Sequence, residues 1–199
     1  MRTHPWPQPR HRQSTDIPRL LCIANDRPIK GLAVLLDAME THITAQQWHL
    51  DIVGECGAAI RAKVNQSTEL SRHVTVHGYR TDVPDFLQAA HIYIQPTMQP
   101  GEGIGNSMAE AMSYGLPVIT SNVGGGIELT THEKTGLHFD VGNASSLARC
   151  IERLIQDPVL CDVIGQAAAA SLQQRFSLQQ EATAFLSLFS ALATPLHLE

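Results

Sequence analysis

Six short apolar runs, at residues 20–24, 50–53, 74–76, 92–95, 118–120 and 136–139, alternate along this chain with stretches whose apolar residues recur every three or four positions. Leu32, Leu35, Leu36 and Met39 keep the helical spacing, as do Val83, Phe86, Leu87 and Ala90. Met108 with Met112, and Leu147, Ile151 and Leu154, continue it. Strand and helix in strict alternation admit few architectures, because successive strands of one sheet then run parallel and helices cover both of its faces. After Asn143 the strands stop. Helical patterns follow near 144–156, 158–175 and 178–193, divided by Asp157-Pro158 and by Phe176-Ser177. The reading is an α/β domain over residues 19–193, between a Pro- and Arg-rich linker or disordered tail at 1–18 and a short C-terminal tail at 194–199.

A chain of 199 residues, 43% hydrophobic and 17% charged, is long enough to bury a sizeable core. Its net charge of −5 argues against nucleic acid as a partner, since phosphate backbones are bound chiefly by clustered Lys and Arg. The four cysteines include no C-x-x-C pair, which predicts reduced thiols and a cytoplasmic or membrane-peripheral setting. None of the ten histidines falls in a metal-ligand spacing, and no D-x-D pair is present, so no metal and no cofactor are expected. Nowhere do eighteen apolar residues run together. The basic tail, with Arg2, Arg10 and Arg12, admits contact with an anionic membrane surface, although its four prolines oppose an amphipathic helix.

The most informative stretch runs from Gly101 to Pro117, where a glycine-rich turn, Gly101-Glu102-Gly103-Ile104-Gly105-Asn106-Ser107, joins an apolar strand to a helix. Glycines let backbone N–H groups approach a ligand closely, and the helix that follows presents unpaired donors and the positive end of its dipole. An anion is the expected guest. The two carboxylates that bracket the turn then need other clients, and sugar hydroxyls supply them: Glu102 for a hexose, and Glu110 for the two hydroxyls of a ribose. A nucleoside diphosphate sugar fits this arrangement. Ser107-x-x-Glu110 also reads as a capping box, in which Glu110 would do no more than hold the start of the helix.

Several ordered motifs carry a resemblance. Glu102-x7-Glu110, Ala111-Met112, Gly115-Leu116-Pro117-Val118, Val123-Gly124-Gly125 with Glu128, and Thr135-Gly136-Leu137 together resemble the donor-binding domain of the family 4 retaining glycosyltransferases, over roughly residues 19–192. The resemblance implies a Rossmann-like domain that forms the C-terminal half of a GT-B fold. It implies transfer of a hexose from a nucleotide sugar with retention of configuration, in glycan or cell-envelope polysaccharide synthesis. It also implies an N-terminal acceptor-binding domain, which this chain lacks, so the chain alone is expected to be inactive.

Site roles follow from that resemblance. Departure of a nucleoside diphosphate builds negative charge that cations must stabilise; Lys30 and Arg27, in the turn after the first strand, are the candidates, with Glu102 the third catalytic residue. Lys30-Gly31 matches the family pattern, but Ala24-Asn25 stands where members commonly carry Gly-Arg, so the usual arginine is missing and Arg27 lies two places later. Asn25, Gly54, Tyr79, Arg80, Gly103, Ile104, Gly105, Asn106, Ser107 and Glu110 are the expected substrate contacts. Tyr79 and Arg80 would stack on the nucleobase.

Rival readings stay open at this point. Gly105-Asn106-Ser107-Met108-Ala109 comes within one residue of a serine hydrolase elbow, with Asp140 and His197 downstream. A dinucleotide-dependent oxidoreductase fits less well, because the first turn has no G-x-G-x-x-G. A non-catalytic nucleotide-binding module would use the same residues without reaction.

Overall fold

A computed structural model of the chain describes residues 16–43, 47–99 and 105–175. Six strands form one parallel sheet: β1 Arg19–Ile23, β2 His49–Val53, β3 Val74–Gly78, β4 Ile92–Gln95, β5 Val118–Ser121 and β6 Leu137–Phe139. Their spatial order is β3-β2-β1-β4-β5-β6. This is the doubly wound Rossmann arrangement, with the chain reversing its direction of travel across the sheet between β1 and β4. Every expected strand is present. The helices are α1 Leu32–Thr41, α2 Ala58–Gln66, α3 Thr68–His73, α4 Val83–Ala89, α5 Asn106–Ser113, α6 Gly125–Leu129, α7 Ala144–Gln156 and α8 Pro158–Arg175. The helix expected over 178–193 and both terminal tails beyond 16–175 lie outside the described residues.

The period-two alternation of the strands sorts the core into two layers. Leu20 and Cys22 of β1, Leu50 and Ile52 of β2, and Ile92 and Ile94 of β4 face α1, α3 and α7, meeting Leu35, Leu36, Met39, Leu70, Leu147 and Ile151. Leu21, Tyr93 and Val118 point the other way, onto Leu87 of α4 and Met108 and Met112 of α5. One helix joins both layers: α8 sends Cys161 and Ile164 into the first, and Ala168 and Leu172 into the second. Gly165 permits this crossing, because a Cβ there would lie 2.0 Å from the carbonyl oxygen of Gly115.

Polar residues start the last two helices. Asn143 Oδ1 accepts the Ser146 amide at 2.9 Å to cap α7, and Asp157 Oδ1 accepts the Leu160 amide at 2.9 Å ahead of α8, where Pro158 occupies the first helical position. A buried carboxylate ties the first three strands. Asp51 accepts from Arg19 Nη2 at 2.9 Å and from His77 Nε2 at 2.7 Å, with His49 Nε2 3.3 Å away. Burial alone would raise its pKa, but the hydrogen bonds from His49, His77 and Arg19 outweigh that and hold the carboxyl well below the usual carboxylate range. His73 is likewise committed, its ring against Trp48 and its Nδ1 3.0 Å from the Trp48 carbonyl. Among the described residues no helix is long and apolar enough to cross a membrane.

Candidate functional site

Parallel sheets of this order present their ligand crevice beyond the carboxyl ends of the strands at the reversal point. The loops after β1 and β4 meet there, and backbone contacts lock them together. Met98 donates its amide to the Ile29 carbonyl at 2.8 Å. Gly31, at φ 68°, is packed so closely that a Cβ would stand 1.8 Å from the carbonyl oxygen of Pro96. The residue before it, Lys30, ends the 3₁₀ turn Pro28–Lys30 and is thereby delivered to the end of β4.

Three adjoining cavities open along this edge. A small one of about 30 Å³ is lined by Ala24, Lys30, Gln95, Thr97, Gly105 and Ser107. It shares Ile23, Ala24 and Lys30 with a second, of about 370 Å³, bordered also by Asn25, Gly54, Glu55 and Tyr79. That one shares Glu55 and Tyr79 with a third, of about 540 Å³, which reaches Asp26, Gly57, Arg61 and Gly78. Gly54 is needed at the joint, since at φ 139° a Cβ would sit 2.2 Å from the Ala24 carbonyl oxygen. The cleft therefore crosses the ends of β4, β1, β2 and β3 in turn.

Helix α5 begins at this cleft with Gly105 as its N-cap. Among the described residues the amides of Asn106 and Ser107 have no backbone acceptor, the first intrahelical bonds being Met108 and Ala109 to the Gly105 carbonyl. This start corrects the capping-box alternative. Ser107 is the second residue of the helix, not its cap, and its Oγ accepts from the Tyr93 hydroxyl at 2.8 Å. Among the described residues Glu110 caps no amide, and it is exposed one turn along the same face. It lines none of the three cavities, but its charge is felt by the Tyr93 phenol.

The remaining expected residues divide. Lys30, Asn25, Gly54, Tyr79, Gly105 and Ser107 come together around the cleft; Tyr79 is 75% exposed at its rim. Asn106 is exposed at the first position of α5. Asn25 turns its side-chain carbonyl to the Arg27 amide at 3.3 Å, and the exposed Arg27 lines none of these three cavities. Arg80 differs from expectation. Its guanidinium forks onto the Asp82 carboxylate at 2.8 and 2.5 Å and lies over the Phe86 ring, so it is engaged by these partners. Glu102, Gly103 and Ile104 lie outside the described residues.

Asp26, Glu55, Gln95, Thr97 and Arg61 complete the lining and were not read from the sequence. Asp26 follows the β1 turn and accepts the Gly57 amide at 2.7 Å. Gln95 ends β4 beside Gly105, where a Cβ would meet its Oε1 at 2.8 Å. The signal available for both was their place at the end of an apolar strand or in the turn that follows one. Cys22 also touches the small cavity, but burial pushes its thiol up to about 12, with nearby Cys56 adding to the rise, so it is no thiolate at neutral pH.

The hydrolase alternative lacks support here. Ser107 is bonded to a phenol that burial holds protonated well above its usual range, and a neutral phenol that donates to the serine is no general base.

This six-stranded Rossmann-like domain has the architecture of one half of a GT-B fold, and solved structures agree. The chain superimposes on HepE of Anabaena, solved in complex with UDP, with a TM-score of 0.78 at 24% identity, covering 87% of this chain and 48% of that one. It also matches the C-terminal domain of the group 1 glycosyl transferase LpcC of Francisella tularensis, with a TM-score of 0.72 at 21% identity over 82% of this chain and 89% of that one. The chain belongs to the glycosyl transferases group 1 family, whose model matches residues 17–157. The lipopolysaccharide core biosynthesis glycosyltransferase LpsD of Rhizobium meliloti (strain 1021) is 30% identical over 163 residues, 80% of this chain and 46% of that protein. The chain spans between 28% and 49% of the length of three curated relatives that it matches.

Proposed function

We propose that this chain is the donor-binding half of a glycosyltransferase that holds a nucleoside diphosphate sugar for retaining transfer of a hexose to a glycan or cell-envelope polysaccharide. One observation carries the reading: Lys30, Ser107 and the start of α5 converge on the small cavity, and the larger cleft continues from it across the ends of β1, β2 and β3. The diphosphate would lie at the small cavity, where a cation and backbone amides face it. The nucleoside would extend along the cleft past Gly54 toward Tyr79, which offers an aromatic plane to the base. Glu110 would take the ribose hydroxyls. In the family pattern Glu102 serves the transferred sugar.

In the reaction the bond between the anomeric carbon and the β-phosphate oxygen breaks, and that oxygen leaves carrying the electron pair. Lys30 and the α5 amides are placed to stabilise the growing charge, the kind of preorganised stabilisation that dominates many such steps. Ala24-Asn25 stands in place of the family's Gly-Arg, with Arg27 two places later, so Lys30 bears more of that task. The acceptor would come from a second, N-terminal domain, because holding both reactants in line supplies about 7–11 kcal/mol of the barrier. This chain alone is therefore expected to bind without turning over, in a cytoplasmic or membrane-peripheral setting.

Titration calorimetry with uridine, guanosine and adenosine diphosphates tests the reading. Modest binding of at least one is expected. No heat from any of them, in a sample that melts cooperatively, would overturn it.

A further inference from the structure

Tyr93 lies inside β4 and is completely buried. Its ring belongs to the second core layer, while its hydroxyl donates to Ser107 Oγ at 2.8 Å. A neutral phenol has one hydrogen to give, and burial keeps it neutral. That hydrogen goes to Ser107.

The consequence falls on the serine. Its hydroxyl has two lone pairs and one hydrogen, and with a lone pair engaged by Tyr93 the hydrogen must be directed elsewhere. Among the described residues the Ser107 hydroxyl donates to nothing, and the residue lines the small cavity with Lys30, Gln95 and Gly105.

We propose that Tyr93 is a positioning residue for the diphosphate: by donating to Ser107 from the core, it turns the serine's proton toward the cavity beside Lys30 and adds a neutral donor to the phosphate site. The proposal rests on the donor-binding reading above. No proton is transferred; the phenol selects which way the serine donates. Because the new donor addresses phosphate rather than ribose, it should act equally on a nucleoside diphosphate and on bare pyrophosphate.

Calorimetry with uridine diphosphate and with inorganic pyrophosphate, on the wild type, Tyr93→Phe, Ser107→Ala and the double variant, separates the possibilities. Each single change is expected to weaken both probes about fivefold, the scale of one neutral hydrogen bond. The double variant should bind no more weakly than Ser107→Ala, since the phenol acts only through the serine. Tyr93→Phe weakening binding by the same factor with or without the Ser107 hydroxyl would overturn the proposal, because the phenol would then act through packing alone. So would single variants that bind as the wild type does. Should Tyr93→Phe fail to melt cooperatively, the Ser107→Ala arm decides, and unchanged binding there overturns the proposal. A folded wild type that binds neither probe would instead bring down the donor-binding reading, and this inference with it.

Discussion

Gly31 and Pro96 are in such close contact that the glycine's missing side chain is what allows the loops after β1 and β4 to touch. Lys30 owes its position to that contact, since it is the last residue before the glycine and lines the cavity on the β4 side. Gly31→Ala should therefore act twice. A Cβ would meet the Pro96 carbonyl oxygen at 1.8 Å, and the φ of 68° is unfavourable for alanine. Chemical denaturation should show a loss of about 3 kcal/mol or more, and diphosphate binding should fall with it, because the two loops must separate to admit the methyl group.

Lys30→Ala should weaken uridine diphosphate and pyrophosphate alike, by roughly tenfold, as expected for removal of one charge-assisted contact. The melting temperature in the absence of ligand should change little. With a matching N-terminal domain supplied, the same change should depress turnover, as should Glu102→Gln. An enzyme indifferent to both would place the active site elsewhere.

Glu110→Gln should discriminate between the same two ligands. A charged bidentate acceptor matters to a ribose and not to pyrophosphate, so calorimetry should show roughly tenfold weaker nucleotide binding and little change for pyrophosphate. Thermal stability should be unaffected, because the carboxylate is exposed and caps no amide among the described residues.

Asp51 governs the acid side of the stability curve. A carboxyl whose folded pKa lies below its unfolded value stabilises the fold above the unfolded pKa, and that contribution is lost as pH falls toward the folded value. The loss should begin below about pH 4. Asp51→Asn leaves Arg19, His49 and His77 without their shared anion, and should cost about 3 kcal/mol at pH 7. Urea midpoints from pH 7 to pH 3 should draw closer for the two proteins below about pH 4, without meeting by pH 3.

The six strands were legible because parallel strands buried on both faces read as short continuous apolar runs. Helices α2 and α3 were not, since each buries a single residue, Val64 and Leu70, and a stripe of one residue has no period to detect. The site divides along a similar line. Lys30, Gly54, Gly105 and Ser107 announce themselves by their place in turns after strands, and the structure brings them to one cleft. The engagement of Arg80 was not legible, because its partner, Asp82, is only two residues away and takes the guanidinium. The Tyr93 link to Ser107 was invisible: it joins residues fourteen positions apart whose meeting depends on where α5 begins.

The strand order also has a consequence for how the cleft comes into being. Strands β1 and β4 are neighbours in the sheet, yet the Arg19 amide reaches its acceptor on His91 across 72 positions of chain. Contacts of such sequence separation form late, because the loop-closure entropy must be overcome before they reward it. Strands β1, β2 and β3 can pair from successive segments and would lay down only the distal wall, from Asn25 to Tyr79. Lys30 meets Gln95, Gly105 and Ser107 only when β4 docks. During synthesis from the N-terminus, the cavity proposed to hold the diphosphate would thus be completed only after the second half of the domain has emerged and closed on the first.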